Sequence, residues 1–242
     1  KPLLDDIQSQ SQFVSLSALP LSQSQRLQVV DYLSLLPQAQ SLLTESDTLL
    51  GAVGWLLGVD GPRSFLVQPM DRAELRATGG FTGQYGELTL KQGRVEPFSM
   101  RNIALLEYNQ DSNNLGQDAP AAYRSWWPFA NWGLRDSNLS ADFPTSAKIA
   151  INLYKQETGR SVDGVVMMTP FAIEDVLMII GPVYISQYDE TITAQNLEDR
   201  LHYYQLGKGI DKQKAITHLT NDDAARKQFT SQLAHVMMDT IR

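Results

Sequence analysis

The stretch Val162 to Ser186, VDGVVMMTPFAIEDVLMIIGPVYIS, decides the fold class. Val162 to Met168 is an apolar run of strand length. Thr169-Pro170 then opens a helix, because a proline in the first turn has no intrahelical N–H bond to lose. Ile173, Val176, Leu177 and Ile180 recur at helical spacing until Gly181-Pro182 stops the pattern. Val183 to Ser186 reads as strand again. Strand, short helix, strand is the pattern of a parallel crossover, which sets the expectation of an α/β fold.

Working outward, Asp142 caps a helix with Pro144 in its first turn and Ala147, Ala150, Ile151 and Tyr154 on one face, ending near Gly159. Downstream, helices are expected from about Ala194 to Leu206 and from Asp222 to Ile241, the last with Phe229, Leu233 and Val236 inward. Upstream, Ser64 to Gln68 is a short strand. It precedes AELRATGGFTGQYGELTLKQGRVEPFSMRN, Ala73 to Asn102. There Tyr85, Leu88 and Leu90 form a strand-like run ending at Lys91-Gln92-Gly93, and Val95, Phe98 and Met100 resume beyond it. This is a hairpin that returns Arg101 towards Arg76. The whole implies a three-layer α/β fold with a mixed central sheet flanked by helices.

The first fifty residues are rich in Gln, Ser and Leu. Leu27, Val30, Leu33 and Leu36 give a helical stripe expected to stop at Pro37, and Leu42, Leu49, Val53 and Leu56 give a second. The expected organisation is a helical N-terminal extension over residues 1–48 that packs on an α/β domain over 49–242.

Composition narrows the function. At 242 residues with 43% hydrophobic and 19% charged residues, the chain is long enough for a substantial core and too apolar to be disordered over most of its length. A net charge of -7 argues against nucleic acid as partner, since such proteins present a basic stripe to phosphates. Cysteine is absent, which excludes disulfides, thiolate metal sites and a cysteine nucleophile. His202, His218 and His235 are the only histidines, and none is spaced i, i+4 from another as in a helical metal site. The longest apolar run, Leu49 to Val59, falls short of the roughly 18 residues a bilayer span needs. With Lys1 first and no signal-peptide pattern, the sequence is expected to be a fragment whose targeting or anchoring segment lies outside it.

The residues that carry chemistry are scattered arginines. Arg76 precedes Thr78-Gly79-Gly80, where glycines allow positive φ and close approach; such a turn is either a packing device or an anion cradle. Arg76, Arg101 and Arg135 either form structural ion pairs, with Glu74, Glu107 or Asp142, or converge on an anion. Arg226 and Lys227 either lie on a solvated helix face or join them. Asp136-Ser137-Asn138 is either an Asx-type turn beside a helix cap or a ligand rim. Trp126-Trp127-Pro128-Phe129-Ala130-Asn131-Trp132 is either a core plug or the wall of a cleft. No G-x-S-x-G elbow occurs, and the carboxylates are too dispersed for a glycosidase pair.

The succession GPRSFLVQPMDRAELRATGGFTGQYGELTL from Gly61, RDSNLSADFPTSA from Arg135 and VDGVVMMTPFAIEDVLMIIGPVYI from Val162 resembles the bacterial domain-of-unknown-function family 4012. The resemblance covers most of the chain after residue 49 and implies a secreted or membrane-anchored protein with an N-terminal transmembrane helix. A fainter similarity is to the LytR-CpsA-Psr proteins, which transfer glycopolymers from polyprenyl-pyrophosphate carriers to the cell wall. Arg76 and Arg101 occupy places similar to the arginines of their Arg-Ser-Asp-Thr and Pro-Arg-Asp motifs. Asp163-Gly164 through Gly181-Pro182-Val183 resembles their later strand, helix and Gly-Gly-Val turn, and Arg226-Lys227-Gln228 is similar to the Arg-Gln pair on their last helix. The magnesium-holding aspartates of those motifs are absent, Thr78 and Gly79 standing near the first and Asn102 at the second. His202-Tyr203-Tyr204-Gln205-Leu206 likewise lacks their later paired arginines.

The resemblance therefore implies a LytR-CpsA-Psr-like fold at the bacterial cell surface, extracytoplasmic and membrane-anchored. The implied ligand is a phosphorylated or acidic glycan or a polyprenyl phosphate, held by Arg76, Thr78, Arg101, Arg135, Asn138 and Arg226. No cofactor is expected, and magnesium enters only through a displaced carboxylate, Asp136 or Asp142. Asp136 is the candidate base if the protein is a degenerate glycopolymer phosphotransferase. A noncatalytic surface module that binds protein or wall polymer is the alternative.

Overall fold

The computed structural model describes residues 2–108, 118–127 and 132–241. Most of the Asn109 to Pro120 stretch, which its Asn, Asp, Ser and Gly content marks as a loop, and the Pro128 to Asn131 part of the aromatic cluster, lie outside the described residues. The chain divides into two compact units, Lys1–Asp60 and Gly61–Arg242.

The first unit holds α1 (Pro2–Ser11), a 3-10 turn at Leu16–Ala18 and α2 (Gln23–Leu56). Ser22 opens α2 with a capping box: its hydroxyl accepts from Gln25 N while Gln25 Oε1 accepts from Ser22 N at 2.9 Å. The expected stop at Pro37 is overturned, for Pro37 lies inside α2. A mid-helix proline forfeits one hydrogen bond and crowds the carbonyl four residues back, which costs about 3 kcal/mol. Strong helix formers on both sides, Leu33, Leu35, Leu36, Gln38, Ala39 and Gln40, carry the helix across it. The helix also runs unbroken through residue 48, where the extension was expected to end.

In the second unit β1 (Arg63–Pro69), β2 (Gln84–Lys91), β3 (Arg94–Val95) and β4 (Met100–Asn102) come first. Next are α3 (Ile103–Tyr108), α4 (Ala121–Arg124), α5 (Phe143–Thr158), β5 (Gly164–Met168) and α6 (Pro170–Ile180). The chain continues through β6 (Val183–Ile185), β7 (Glu190–Ile192), α7 (Leu197–Leu206), α8 (Gly209–Thr217), α9 (Asp222–Arg226) and α10 (Gln228–Ile241). A five-stranded sheet runs β3-β2-β1-β5, with β4 also on β2. It is mixed: β1 and β2 are antiparallel, Phe65 opposite Leu88, while β1 and β5 are parallel, Val67 opposite Val166.

Alternation along β2 sends Tyr85 and Glu87 to one face and Gln84 to the other. On the first face α5 docks, with Tyr154 Oη donating to Glu87 Oε2 at 2.7 Å. On the second the α9–α10 junction docks, with Gln84 Nε2 donating to Lys227 O at 3.1 Å. Helices therefore flank both faces of the sheet, as the α/β reading expects. At the hairpin tip Gln92 and Gly93 both have positive φ, 51° and 75°, the geometry that matches a two-residue turn to strand twist.

The local helix signals hold. Asp142 Oδ2 accepts from Thr145 N at 2.9 Å to cap α5, and Gly159 ends it at φ 73°. The crossover reading of Val162–Ser186 does not hold. Strand β6 leaves the sheet and pairs antiparallel with β7, Val183 opposite Ile192, and the parallel neighbour of β5 is β1. A strand inside an α/β sheet buries both faces, whereas Val183 and Ile185 are buried and Tyr184 between them is exposed. The one-sided ribbon covers a separate core of Leu177, Leu197, Tyr204, Phe229 and Leu233. The helix expected from Ala194 begins at Leu197, because Thr193 and Asn196 exchange side-chain-to-backbone bonds in a turn ahead of it. The expected last helix is broken at Lys227.

Candidate functional site

A cavity of about 290 Å³ opens beside the end of β1, the Phe81–Gln84 segment that leads into β2, and helices α6, α7, α9 and α10. Its framework starts with a bridge between Asp71 and Phe81, each N–H donating to the other's carbonyl, at 2.8 and 2.9 Å. The bridge closes the loop that carries Arg76. Gly79 takes φ 126°, and Gly80 lies so close to the Asp71 backbone that an added Cβ would sit 2.3 Å from Asp71 O. Gly80 is thus a packing device.

Three residues past Gly80, Gly83 O accepts from Lys227 Nζ at 2.7 Å, and the same Nζ donates to Asn102 Oδ1 at 2.8 Å. The lysine therefore pins the α9–α10 junction to β2 and β4, and is not a solvated helix charge. Its docking brings Arg226 and Lys227 to the cavity. Arg135 reaches it from a 3-10 turn, Leu134–Asp136, whose Arg135 carbonyl accepts from Thr82 Oγ1 at 3.2 Å. Three cationic residues from two distant segments, the Leu134–Asp136 turn and the α9–α10 junction, therefore line one cavity, with Gln84, Asn102, Gln205 and Thr230 as polar neighbours. Asp71, Glu74, Glu198 and His202 also line it, Glu198 lying 3.8 Å from Arg72. Met70, Phe81, Pro170, Ile173 and Leu201 supply apolar wall.

Of the residues singled out by sequence, Arg135 and Arg226 meet here. Arg101 does not: it is exposed and alternates with Asn102, so it belongs to the opposite face of β4 beside Tyr85. Arg76, Thr78, Asp136 and Asn138 gather instead in a buried polar knot behind the Gly79-Gly80 turn. Arg76 Nη2 lies 3.5 Å from Asp136 Oδ1, both side chains largely buried. Thr78 Oγ1 donates to Asn138 O at 3.3 Å, and Asn138 Nδ2 to Gly80 O at 2.7 Å. Arg76 thus pairs with an acid other than the expected Glu74, Glu107 or Asp142. Asp136 does not line the cavity, which removes the position a base there would need. Of the Trp126–Trp132 cluster's described residues, Trp132 is core and Trp127 packs against it, while Trp126 is exposed, and none of these three tryptophans lines the cavity.

Burial governs the acids of the knot. It raises the Asp136 carboxyl from its ordinary 3.8 to about 6, against the opposing pull of Arg76 and Arg135. On α5, burial raises Glu157 from 4.5 to about 7, although its Oε1 accepts from Leu134 N at 2.9 Å. Among the described residues no three His, Asp or Glu side chains gather as metal ligands. Of the cavity acids, Glu198 lies beside Arg72, and Asp71 Oδ1 accepts from Ala73 N at 2.9 Å. Among those residues no helix is long and apolar enough to cross a membrane.

Sequence reasoning undervalued Lys227 and passed over His202. For His202 a local signal existed, since it shares the cavity face of α7 with Glu198 and Leu201 at i−4 and i−1. For Lys227 there was none, because its partners lie more than a hundred positions away.

No curated protein matches the chain. A family model matches residues 60–205, more than half of the sequence; the matched span takes in the cavity lining through Gln205 and leaves out Arg226, Lys227 and Thr230. The chain belongs to the family described as protein of unknown function, DUF4012.

Proposed function

We propose that this is an extracytoplasmic cell-envelope protein that binds a phosphorylated or acidic glycan, or a polyprenyl-phosphate-type ligand, in the cavity at Arg135, Arg226 and Lys227. The observation that supports it is the convergence of those three cations on one hollow of ligand size. Guanidinium forks match phosphate oxygens, and each charge-assisted hydrogen bond contributes roughly 1.5 to 3 kcal/mol. The apolar wall from Met70, Phe81 and Ile173 suits the less polar part of such a ligand. Membrane anchoring and the LytR-CpsA-Psr likeness belong to the proposal. The degenerate phosphotransferase is its catalytic form, with transfer of a phosphoryl-linked glycopolymer as the reaction.

A second reading, a noncatalytic module that binds protein or wall polymer, is favoured by the exposed Phe171, Met178 and Ile179 on α6. Incubation with a soluble prenyl diphosphate, followed by phosphorus NMR, separates the two. Binding at the cavity is expected to broaden or shift the diphosphate signals of the wild type, and release of phosphate would add turnover. Unchanged spectra, with retention on purified cell-wall polymer, would replace the first reading with the second.

A further inference from the structure

We infer that α2 carries a dimerisation surface, its leucine stripe from Leu35 to Leu56 packing against the same stripe of a second copy of this chain in a parallel two-stranded coiled coil. The surface shares no residue with the cavity.

Leucine pairs recur at 35–36, 42–43, 49–50 and 56–57, seven residues apart each time. A strict seven-residue period keeps one helix face against a partner helix when the two supercoil, which makes it the mark of a coiled coil. With Leu35, Leu42, Leu49 and Leu56 at heptad position d, position a holds Tyr32, Ala39, Ser46 and Val53. The second leucine of each pair falls at e. Pro37, Thr44 and Gly51 fall at the outward position f, so the proline and a helix-weakening glycine stay off the seam.

Within the first unit α1 is too short to cover this stripe. The chain turns back between Ser11 and Gln23, so α1 runs antiparallel to α2, and Gln40 Nε2 donates to Asp5 Oδ1 at 2.8 Å near its first turn. Val29, Leu33, Leu36 and Gln40 are half-buried, all at positions b or e, and every residue from Ser41 to Val53 is exposed. Row d stays bare even alongside α1, Leu35 being 52% exposed, and none of the residues of α2 is buried. Helices in proteins draw most of their stability from packing an apolar face. A long helix with Gly51 and Gly54 inside it therefore calls for a partner.

Area, pattern and charge select a second copy as that partner. The exposed leucines of rows d and e, with Val53, offer roughly 650 Å² of apolar surface, close to the ~800 Å² per partner of a stable interface. Positions a and d of one copy meet a and d of the other, so the stripe is its own complement in a two-fold dimer. A lipid surface fits poorly, because α2 has Arg26 as its sole base against Asp31, Glu45 and Asp47, whereas helices that lie on membranes are rich in Lys and Arg. Glu45 sets the direction. It stands at position g near the middle of the stripe, where an antiparallel pair would set it against its own copy and a parallel pair sets it against Leu50 at e.

Sedimentation equilibrium of the full chain is expected to show a concentration-dependent monomer–dimer equilibrium. Leu42→Glu with Leu49→Glu, on a face exposed in the monomer and with a good helix former at each site, is expected to weaken it at least about a hundredfold. Thr44→Glu at position f is expected to leave it within about twofold. An equal mixture with the Leu42→Lys, Leu49→Lys protein is expected to restore dimers, which shows that both charged variants are folded. Since the sequence has no cysteine, Val53→Cys is expected to cross-link two copies on mild oxidation and Thr44→Cys is not.

A chain that stays monomeric up to about 100 μM, or dimers indifferent to the leucine substitutions, would overturn this assignment. So would a monomer whose leucines take up lipid vesicles instead, or cross-linking through Thr44→Cys as readily as through Val53→Cys.

Discussion

Gly80→Ala is expected to destabilise the second unit by about 3 kcal/mol or more, lowering its melting temperature by roughly 6 to 12 °C. The new Cβ would fall 2.3 Å from Asp71 O, 2.6 Å from Asp71 C and 3.1 Å from Arg72 N. All three are backbone atoms, so no side chain can swing aside. The strands of the Asp71–Phe81 bridge must part, and with them the hydrogen bonds that close the Arg76 loop. Gly93→Ala is the comparison, since its added Cβ meets nothing within 4 Å and its cost is confined to the left-handed backbone. Thermal denaturation followed by circular dichroism would show it. A Gly80→Ala protein that melts with the wild type would mean the bridge does not hold this framework.

Glu157→Gln is expected to stabilise the protein relative to wild type at alkaline pH and to leave that gap closed in acid. Burial raises the native carboxyl from its ordinary 4.5 to about 7, so the folded state takes up the proton more readily than the unfolded chain. Wild-type stability from this group is therefore greatest below about pH 4.5 and falls as pH rises towards about 7. Glutamine keeps the neutral form at every pH and retains an oxygen for Leu134 N. Between about pH 4 and about pH 8 the stability difference is expected to grow in favour of Glu157→Gln by about 3 kcal/mol. Urea unfolding of both proteins across that range is the check. A difference that stays flat, or that favours glutamate as pH rises, would show that the acid is not held neutral by burial.

The sequence carried the local part of the fold. Asp142 and Gly159 delimit α5, and Pro170 and Gly181 delimit α6, because caps and breakers act over a few residues. It did not carry strand partners: Val183 to Ile185 reads the same whether it enters the central sheet or curls onto β7, and only the distant core of Tyr204 and Phe229 selects the ribbon. Pro37 shows the reverse case, a local rule overridden by the helix formers around it. The candidate site divides likewise. The polar knot was legible in part, since Asp136, Ser137 and Asn138 are adjacent and Thr78 sits in a conspicuous turn. The cavity was not, because Arg135 and Arg226 meet only after α10 docks on the sheet through Lys227, whose bonds no pattern in its own neighbourhood announces. Arg101 was misplaced by one position: strand alternation gives the cavity to Asn102 and turns the arginine to the other face.

The most direct test of the anion site is a calorimetric titration of inorganic pyrophosphate into wild type, Arg135→Ala, Arg226→Ala and Arg101→Ala at neutral pH. Single-site binding to the wild type is expected, weakened about tenfold to a hundredfold by Arg135→Ala and by Arg226→Ala, and unchanged by Arg101→Ala. Absence of binding by the folded wild type, or equal affinity in all four proteins, would contradict it.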